Sequence, residues 1–259
     1  MRTYDAKAVA GLERRYATPQ VIDQRKRFCA ILAPRPGETG LDVGCGPGYL
    51  ACDMAAEVAP GGRIVAIDRS PDSVASAAAL VARRGLAGVV EVRAGDAQDL
   101  DFPDGSFDFV AATQVYCHVP DVARAINEAA RVLRKGGRLA VLDSDWDMCA
   151  WESGDHARMR RMLAARQLRF EHAHLPCELH RLFREAGLAL AGVQAFALIE
   201  TRYDPDSFGA EILQSTRDAA LKYGVPAAEV EAWEQDLRAR GADGEWFFCL
   251  DRFVFTATK

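Results

Sequence analysis

The sequence lacks a run of apolar residues long enough to cross a membrane. Its most apolar stretch, Leu188 to Ile199, is interrupted by Gly192 and Gln194 and falls well short of the roughly 20 residues a membrane helix needs, so a buried strand is expected there. The start of the chain also lacks an apolar stretch, because Met1 to Tyr16 mixes Asp5, Lys7, Glu13, Arg14 and Arg15 with its apolar residues, and no signal peptide is expected. Cysteine-pair spacing is missing as well. The seven cysteines (Cys29, Cys45, Cys52, Cys117, Cys149, Cys177 and Cys249) never fall as Cys-x-x-Cys, which points to reduced thiols in a cytoplasmic protein. There is no excess of positive charge: 32 Lys and Arg face 37 Asp and Glu, for a net charge of −5, so no broad basic face awaits nucleic-acid phosphates. Repeats and low-complexity segments are absent. What is present, 49% hydrophobic and 27% charged residues over 259 positions, is ordinary globular composition, enough for one α/β domain with an appendage.

Within that composition, residues 1–36 form an expected N-terminal helical segment, with apolar positions recurring at helical spacing from Val21 to Leu32 and Pro34-Arg-Pro-Gly37 as its stop. From there the pattern alternates: strand Thr39–Val43, helix Tyr49–Val58, strand Arg63–Ile67, helix Pro71–Arg84, strand Val89–Ala94, strand Phe107–Ala112, helix Val122–Leu133, strand Arg138–Asp143. Alternation at this interval implies parallel strands joined by right-handed crossovers. Helices follow at Asp155–Phe170 and Cys177–Ala186, where Arg158, Arg160, Arg161, Arg166 and Arg169 read as a solvated face. Strands Leu188–Ile199 and Trp246–Thr256 bring the sheet to seven, mostly parallel. The expected division is a core over 37–199, a small helical cap over 200–244 (helices Asp206–Tyr223 and Ala227–Arg240) lying across a ligand cleft, and a final core strand in 245–259.

The informative segment is Leu41-Asp-Val-Gly-Cys-Gly-Pro-Gly-Tyr-Leu50, between the first strand and the first following helix. Open parallel sheets bind ligands at strand carboxyl ends where the strand order reverses, and glycines let backbone approach a ligand closely. A tight turn without a ligand has the same composition. Gly44, Gly46 and Gly48, with Cys45 between the first two, suit either a dinucleotide or S-adenosylmethionine, and spacing alone does not decide. Asp42 favours the second, because a carboxylate repels a pyrophosphate but attracts an ammonium. Asp68, ending the second strand beside Arg69, is placed to accept hydrogen bonds from both ribose hydroxyls. Asp96 can accept from an adenine amino group or cap its own turn, while the Ala97 amide offers a donor to the ring.

These residues carry a resemblance. The chain looks like class I S-adenosylmethionine-dependent methyltransferases, in the methyltransferase type 11 group, and so a Rossmann-like fold is implied. The likeness runs from about Gly37 to Asp143: besides Leu41–Leu50 it includes Ile64-Val-Ala-Ile-Asp68, Gly95-Asp-Ala97, Phe102-Pro-Asp-Gly-Ser-Phe-Asp108 and Arg131-Val-Leu-Arg-Lys-Gly-Gly137. It implies that Gly44 and Gly46 face the methionine part, Asp68 the ribose, Asp96 and Ala97 the adenine, and that Gln114 lies near the methionyl end. Tyr16 to Arg25 is similar to an N-terminal helix that closes over the cofactor, so that Tyr16, Gln24 and Arg25 contact the methionine moiety or the substrate; the alternative is an amphipathic helix capping the sheet edge.

The implied activity is methyl transfer to a nitrogen or oxygen of a small-molecule metabolite, by a monomer or homodimer without nucleic-acid or membrane partners. The alternatives are a catalytically silent cofactor-binding regulator and an NAD-dependent oxidoreductase. The cofactor supplies the activated electrophile, so the protein mainly aligns and excludes water; a hydroxyl acceptor also needs a base. Candidates follow the fourth and fifth strands in Gln114-Val-Tyr-Cys-His-Val119 and Asp143-Ser-Asp-Trp-Asp147. His118 titrates in the right range for a base, though packing beside the cofactor is its other reading. Tyr116 and Trp146 offer an aromatic wall or core anchors. Asp145 and Asp147 can hold an amine, act as bases, or cap. His172, His174, Cys177 and His180 do not match a familiar metal spacing, and no metal is expected.

Overall fold

The computed structural model describes residues 6–259, so the first five positions of the N-terminal segment lie outside the described residues. In chain order the elements are α1 (Ala6–Tyr16), α2 (Pro19–Leu32), β1 (Thr39–Val43), α3 (Tyr49–Val58), β2 (Arg63–Asp68), α4 (Pro71–Arg83), β3 (Val90–Ala94), β4 (Phe107–Thr113), α5 (Val122–Val132), β5 (Leu133–Trp151), α6 (His156–Gln167), α7 (Leu175–Glu185), β6 (Ala189–Glu200), α8 (Phe208–Lys222), α9 (Ala227–Ala242) and β7 (Phe248–Thr258), with a single 3₁₀ turn at Tyr116–His118. Helix starts follow local chemistry: Ser70, Asp121, Asp155 and Ser207 each accept a hydrogen bond from the backbone N–H three residues on, satisfying donors that a first turn leaves open.

The sheet has seven strands in the order β3-β2-β1-β4-β5-β7-β6. Strands β1 to β5 are parallel and β7 runs antiparallel between β5 and β6, giving a Rossmann-like sheet with one reversed strand. The chain crosses sides between β1 and β4, which opens a crevice at their carboxyl ends. Both faces are covered, as period-2 burial in β4 shows: Val110 and Ala112 join the cluster under α5 and α7, while Phe109 and Ala111 join the one under α3 and α4. A third cluster ties α6, α8 and α9 to the far half of β5 and to β7. No helix among the described residues is long and apolar enough to cross a membrane.

One departure from the sequence reading bears on the site. The helix α1, within the expected helical segment, is held by Val9, 4% exposed, with Leu12 and Tyr16 one turn and two turns further on. The strand β5 does not stop at Asp143 but continues to Trp151, with its pairing to β7 slipping between Ser144 and Cys149. A bulge of this kind re-aims side chains, and it changes where Asp145, Trp146 and Asp147 point.

Helix α9 is anchored by Trp233, fully buried, edge-on to Trp151 with ring centroids 5.9 Å apart and donating its indole N–H to Met159 Sδ at 3.4 Å. Trp233→Ala is expected to destabilise the fold by about 3–5 kcal/mol, the range for emptying a buried aromatic site, measured by chemical denaturation.

Candidate active site

The glycine loop folds because its backbone can take conformations other residues resist. Gly44, Gly46 and Gly48 have φ of +67°, +51° and +83°, the left-handed region. The three are glycine for different reasons. A Cβ at Gly44 would strike Val115 at 2.5 Å and one at Gly48 would strike Ala77 at 2.9 Å, whereas the nearest atom to a Cβ at Gly46 is Tyr16 Cε2 at 3.9 Å. Gly46 therefore leaves an open cradle under α1. The loop is tied to β2 from above and below: Cys45 N donates to Ile67 O at 2.9 Å, and the Asp68 carboxylate accepts from Gly46 N at 2.9 Å and from Ser70 N at 2.8 Å.

Above these strand ends lies a cleft of about 1190 Å³, solvent mouth included. Gly44, Gly46, Asp68, Arg69, Gly95 and Ala97 line one side. Gln114, His118, Trp146, Phe170 and Arg252 line the other, and Leu12, Arg15 and Tyr16 of α1 close over it. The far wall is a run of stacked rings, with Trp146 and Phe170 centroids 4.7 Å apart at 19° and Phe170 and His118 5.1 Å apart at 23°. The residues present fit a nucleoside bearing an amino-acid tail. An open backbone cradle at Gly46 and a half-buried carboxylate at Asp68 line the same space.

Several residues singled out in the sequence lie elsewhere. Asp42 is 1% exposed and sits beneath the loop, outside the cleft lining. Burial, with the charge of Asp68 adding to it, pushes its carboxyl up to about 8, so at neutral pH it is protonated. The expected attraction of a charged Asp42 for an ammonium is corrected accordingly. Cys45 is buried, its thiol 3.7 Å from Gly46 O. Asp96 turns back to accept from Gln98 N at 2.9 Å, the capping role. Arg25 donates to Asp53 Oδ2 at 2.9 Å and to Tyr16 O at 2.7 Å, fastening the α1–α2 junction to α3 and not reaching the cleft. Gln24 spends its amide oxygen on Arg252 Nη1 at 2.6 Å. Tyr116 is 1% exposed, packed in the core with its hydroxyl unpartnered and its ionisation pushed up by burial. Asp145 is turned by the β5 bulge toward α7, where Oδ1 lies 3.0 Å from His174 Nδ1 and Oδ2 accepts from Cys177 Sγ at 3.5 Å. Asp147 joins the same cluster, 3.3 Å from His174 Nε2. Among the described residues no group of three or more His, Cys, Asp or Glu could hold a metal ion.

The structure also brings in residues that the sequence reading left out. Arg166, expected on a solvated face, is 3% exposed, with its guanidinium 4.1 Å from the Trp146 ring centroid and Nη1 donating to Ser215 Oγ at 2.7 Å. Arg169 also lines the cleft and donates to Ser215 O at 2.6 Å. Arg252 is 4% exposed. Its signal was present: it falls in phase with the buried Phe248, Leu250 and Val254 of β7, a cation on the inner face of an alternating strand. Burial pulls it down to about 10, so it stays charged at neutral pH.

A raised acid on the inner side of the loop makes stability depend on pH. The folded chain keeps the Asp42 proton until about pH 8, while an unfolded chain releases it near the ordinary value of 3.8. Between those values the folded state binds more protons, so this group's contribution to stability falls as pH rises. Asp42→Asn, neutral throughout, is expected to flatten the decline in Tm between pH 5 and pH 8 relative to the unaltered chain; parallel Tm curves would contradict the burial argument.

Comparison with known proteins agrees with this geometry. A family model described as a methyltransferase domain matches residues 41–141, from the end of β1 through the first half of β5. A demethylmenaquinone methyltransferase of Symbiobacterium thermophilum is 30% identical over 195 residues, covering 67% of this chain and 77% of the relative. An uncharacterized 37.1 kDa protein in a transposon of Streptomyces fradiae is 33% identical over 257 residues, covering 96% of this chain and 70% of the relative. Among solved structures, a Haemonchus contortus phosphoethanolamine N-methyltransferase 2 with S-adenosylhomocysteine bound has a TM-score of 0.64 at 19% identity, over 99% of this chain and 58% of the other. The strand-end glycine loop, the acid that ends β2 and these relatives together place the chain in the family of class I S-adenosylmethionine-dependent methyltransferases.

Proposed function

We propose that this chain moves the methyl group of S-adenosylmethionine onto a nitrogen or oxygen of a small-molecule metabolite. The observation that carries the reading is the continuity of one cleft from the glycine loop and Asp68 to the ring wall of Trp146, Phe170 and His118. When bound, the cofactor supplies a sulfonium methyl, an electrophile that is already activated. The chain's own residues then orient and shield. The Gly44 and Gly46 backbone receives the amino-acid tail, the remaining lone pairs of Asp68 accept from the ribose hydroxyls, and the Ala97 backbone meets the adenine. Tyr16 and Leu12 of α1 cover the cleft and exclude water, which protects an in-line displacement between aligned reactants. Of the candidate catalytic residues after the fourth and fifth strands, His118 lines the cleft, whereas Tyr116 and Asp145 do not; we assign proton removal from the acceptor to His118. A net charge of −5 favours a small molecule over nucleic acid, and free cysteines throughout suit the cytoplasm.

Calorimetric titration with S-adenosylhomocysteine is expected to show binding, and titration with NAD none. Asp68→Ala is expected to weaken S-adenosylhomocysteine by about 2 kcal/mol or more, roughly thirtyfold, since hydrogen bonds to a charged group contribute about 1.5–3 kcal/mol each. Asp145→Asn, outside the cleft, is expected to leave that affinity unchanged. A screen for labelled-methyl transfer into metabolite pools identifies an acceptor, and with it His118→Ala is expected to lower turnover by about 100-fold or more without changing the cofactor affinity. Unaltered turnover in that variant would return His118 to a packing role.

A further inference from the structure

The acceptor side of the cleft is rich in hydrogen-bond donors and poor in acceptors. Arg252, from β7, has no carboxylate within 4.0 Å among the described residues. Its Nη1 donates to Gln24 Oε1 at 2.6 Å and its Nε to Ser144 Oγ at 3.2 Å, and its guanidinium lies 4.7 Å from the Phe208 ring centroid. Among the described residues Nη2 makes no hydrogen bond. A guanidinium that is 4% exposed and lacks a counterion is costly to bury, and structures keep such a charge where something else completes it.

The neighbouring network reinforces this. Arg252 Nε can only donate, so the Ser144 hydroxyl accepts from it and sends its own hydrogen onward to Gln114 Oε1 at 2.8 Å. That direction fixes the amide, and Gln114 is left presenting Nε2, buried and without a partner. Gln114 is held in this position at a φ of +57°, a conformation that non-glycine residues seldom adopt. Arg15 Nε and Trp146 Nε1, on two more residues of the same lining, are also buried without hydrogen-bond partners. One hydroxyl thus relays two donors, Arg252 Nη2 and Gln114 Nε2, toward the same space.

The charge of the cofactor does not complete this arrangement. S-adenosylmethionine carries a sulfonium, an ammonium and one carboxylate, and so arrives with net positive charge. Arg15, Arg69 and Arg252 line the cleft, against Asp68 as the acid among its described lining residues. Coulomb attraction in so buried a space favours a second ligand that is negative. Its shape follows from the stacked Trp146, Phe170 and His118 rings, which present a flat wall to a flat partner.

Building on the methyltransferase reading of this cleft, we infer that the methyl acceptor is a flat organic acid, its carboxylate received by Arg252 and Gln114 and its ring laid along the Trp146–Phe170 wall. The test is calorimetric titration of the protein saturated with S-adenosylhomocysteine, using benzoate, 1-naphthoate and indole-3-acetate, each beside its amide. At least one acid is expected to bind tenfold or more tightly than its amide. Arg252→Gln is expected to abolish that discrimination while changing the S-adenosylhomocysteine Kd by less than threefold. Should that variant not fold, the acid–amide comparison on the unaltered chain decides alone. Acids and amides that bind alike, or acids that fail to bind the loaded protein, would overturn the inference and leave the methyltransferase reading intact. So would acids that bind only by displacing S-adenosylhomocysteine, or an Arg252→Gln loss as large for S-adenosylhomocysteine as for the acid, because Arg252 would then serve the cofactor's own carboxylate. A chain that binds no S-adenosylhomocysteine at all would remove the methyltransferase reading, and this inference with it.

Discussion

The carboxylate of Asp68 is the point on which the site depends. One of its oxygens holds Gly46 N and the other holds Ser70 N, so a single side chain at the end of β2 sets both the loop after β1 and the start of α4. Because β1 and β2 are paired in register from Thr39↔Arg63 to Val43↔Ile67, any slip of one strand would move the loop away from its tether. The sheet fixes Asp68, Asp68 fixes the loop, and the loop leaves the opening at Gly46 under Tyr16. That chain of constraints uses the carboxylate in the protein's own structure while leaving lone pairs for a ligand, since two oxygens can accept about four hydrogen bonds.

The parallel half of this architecture was legible from the sequence because its signals are local. The Pro34-Arg-Pro-Gly37 stop, the glycines after β1 and the short intervals between strand and helix each report on a few neighbouring residues, and β1, α3 and α9 begin where the pattern puts them. The carboxyl-terminal half was legible only in part. Nothing local in Asp143-Ser-Asp-Trp-Asp147 says that the strand continues, because its continuation is imposed by pairing with β7, as in Cys149↔Leu250 and Trp151↔Phe248, far away in the chain. That bulged pairing turns Asp145 to His174 and Trp146 to the cleft. Periodicity sees the strand; it does not see the slip.

The arginines show the same limit more sharply. In sequence, Arg158 to Arg169 is one basic stretch on a helix, and solvation is its ordinary fate. In the fold, Arg166 is covered by α8, through Ser215 and Thr216, and by the face of Trp146. Arg252 differs, since its phase within β7 already placed it on the buried face; the alternation was read for the strand and not for the charge it carried inward. A buried polar group is the informative exception to apolar burial, and here it marks the part of the cleft that the glycine motifs do not describe.

Burial disfavours charge on both sides of the cleft but leaves different groups charged. Beneath the loop it raises Asp42 to about 8, so that acid is neutral at pH 7. Beyond Gln114 it raises Asp143 to about 6 and lowers Arg252 to about 10, which leaves both charged at neutral pH. Asp143, however, already accepts from Cys117 N and Ser144 N and lies beyond ion-pair distance of the guanidinium. It eases the cost of burying Arg252 without occupying the guanidinium's remaining N–H edge. A closer acid would have neutralised the site; a more distant one would have left the guanidinium too costly to bury. The two ends of the cleft therefore differ in character, with Asp68 at one end and the charged Arg252 guanidinium at the other.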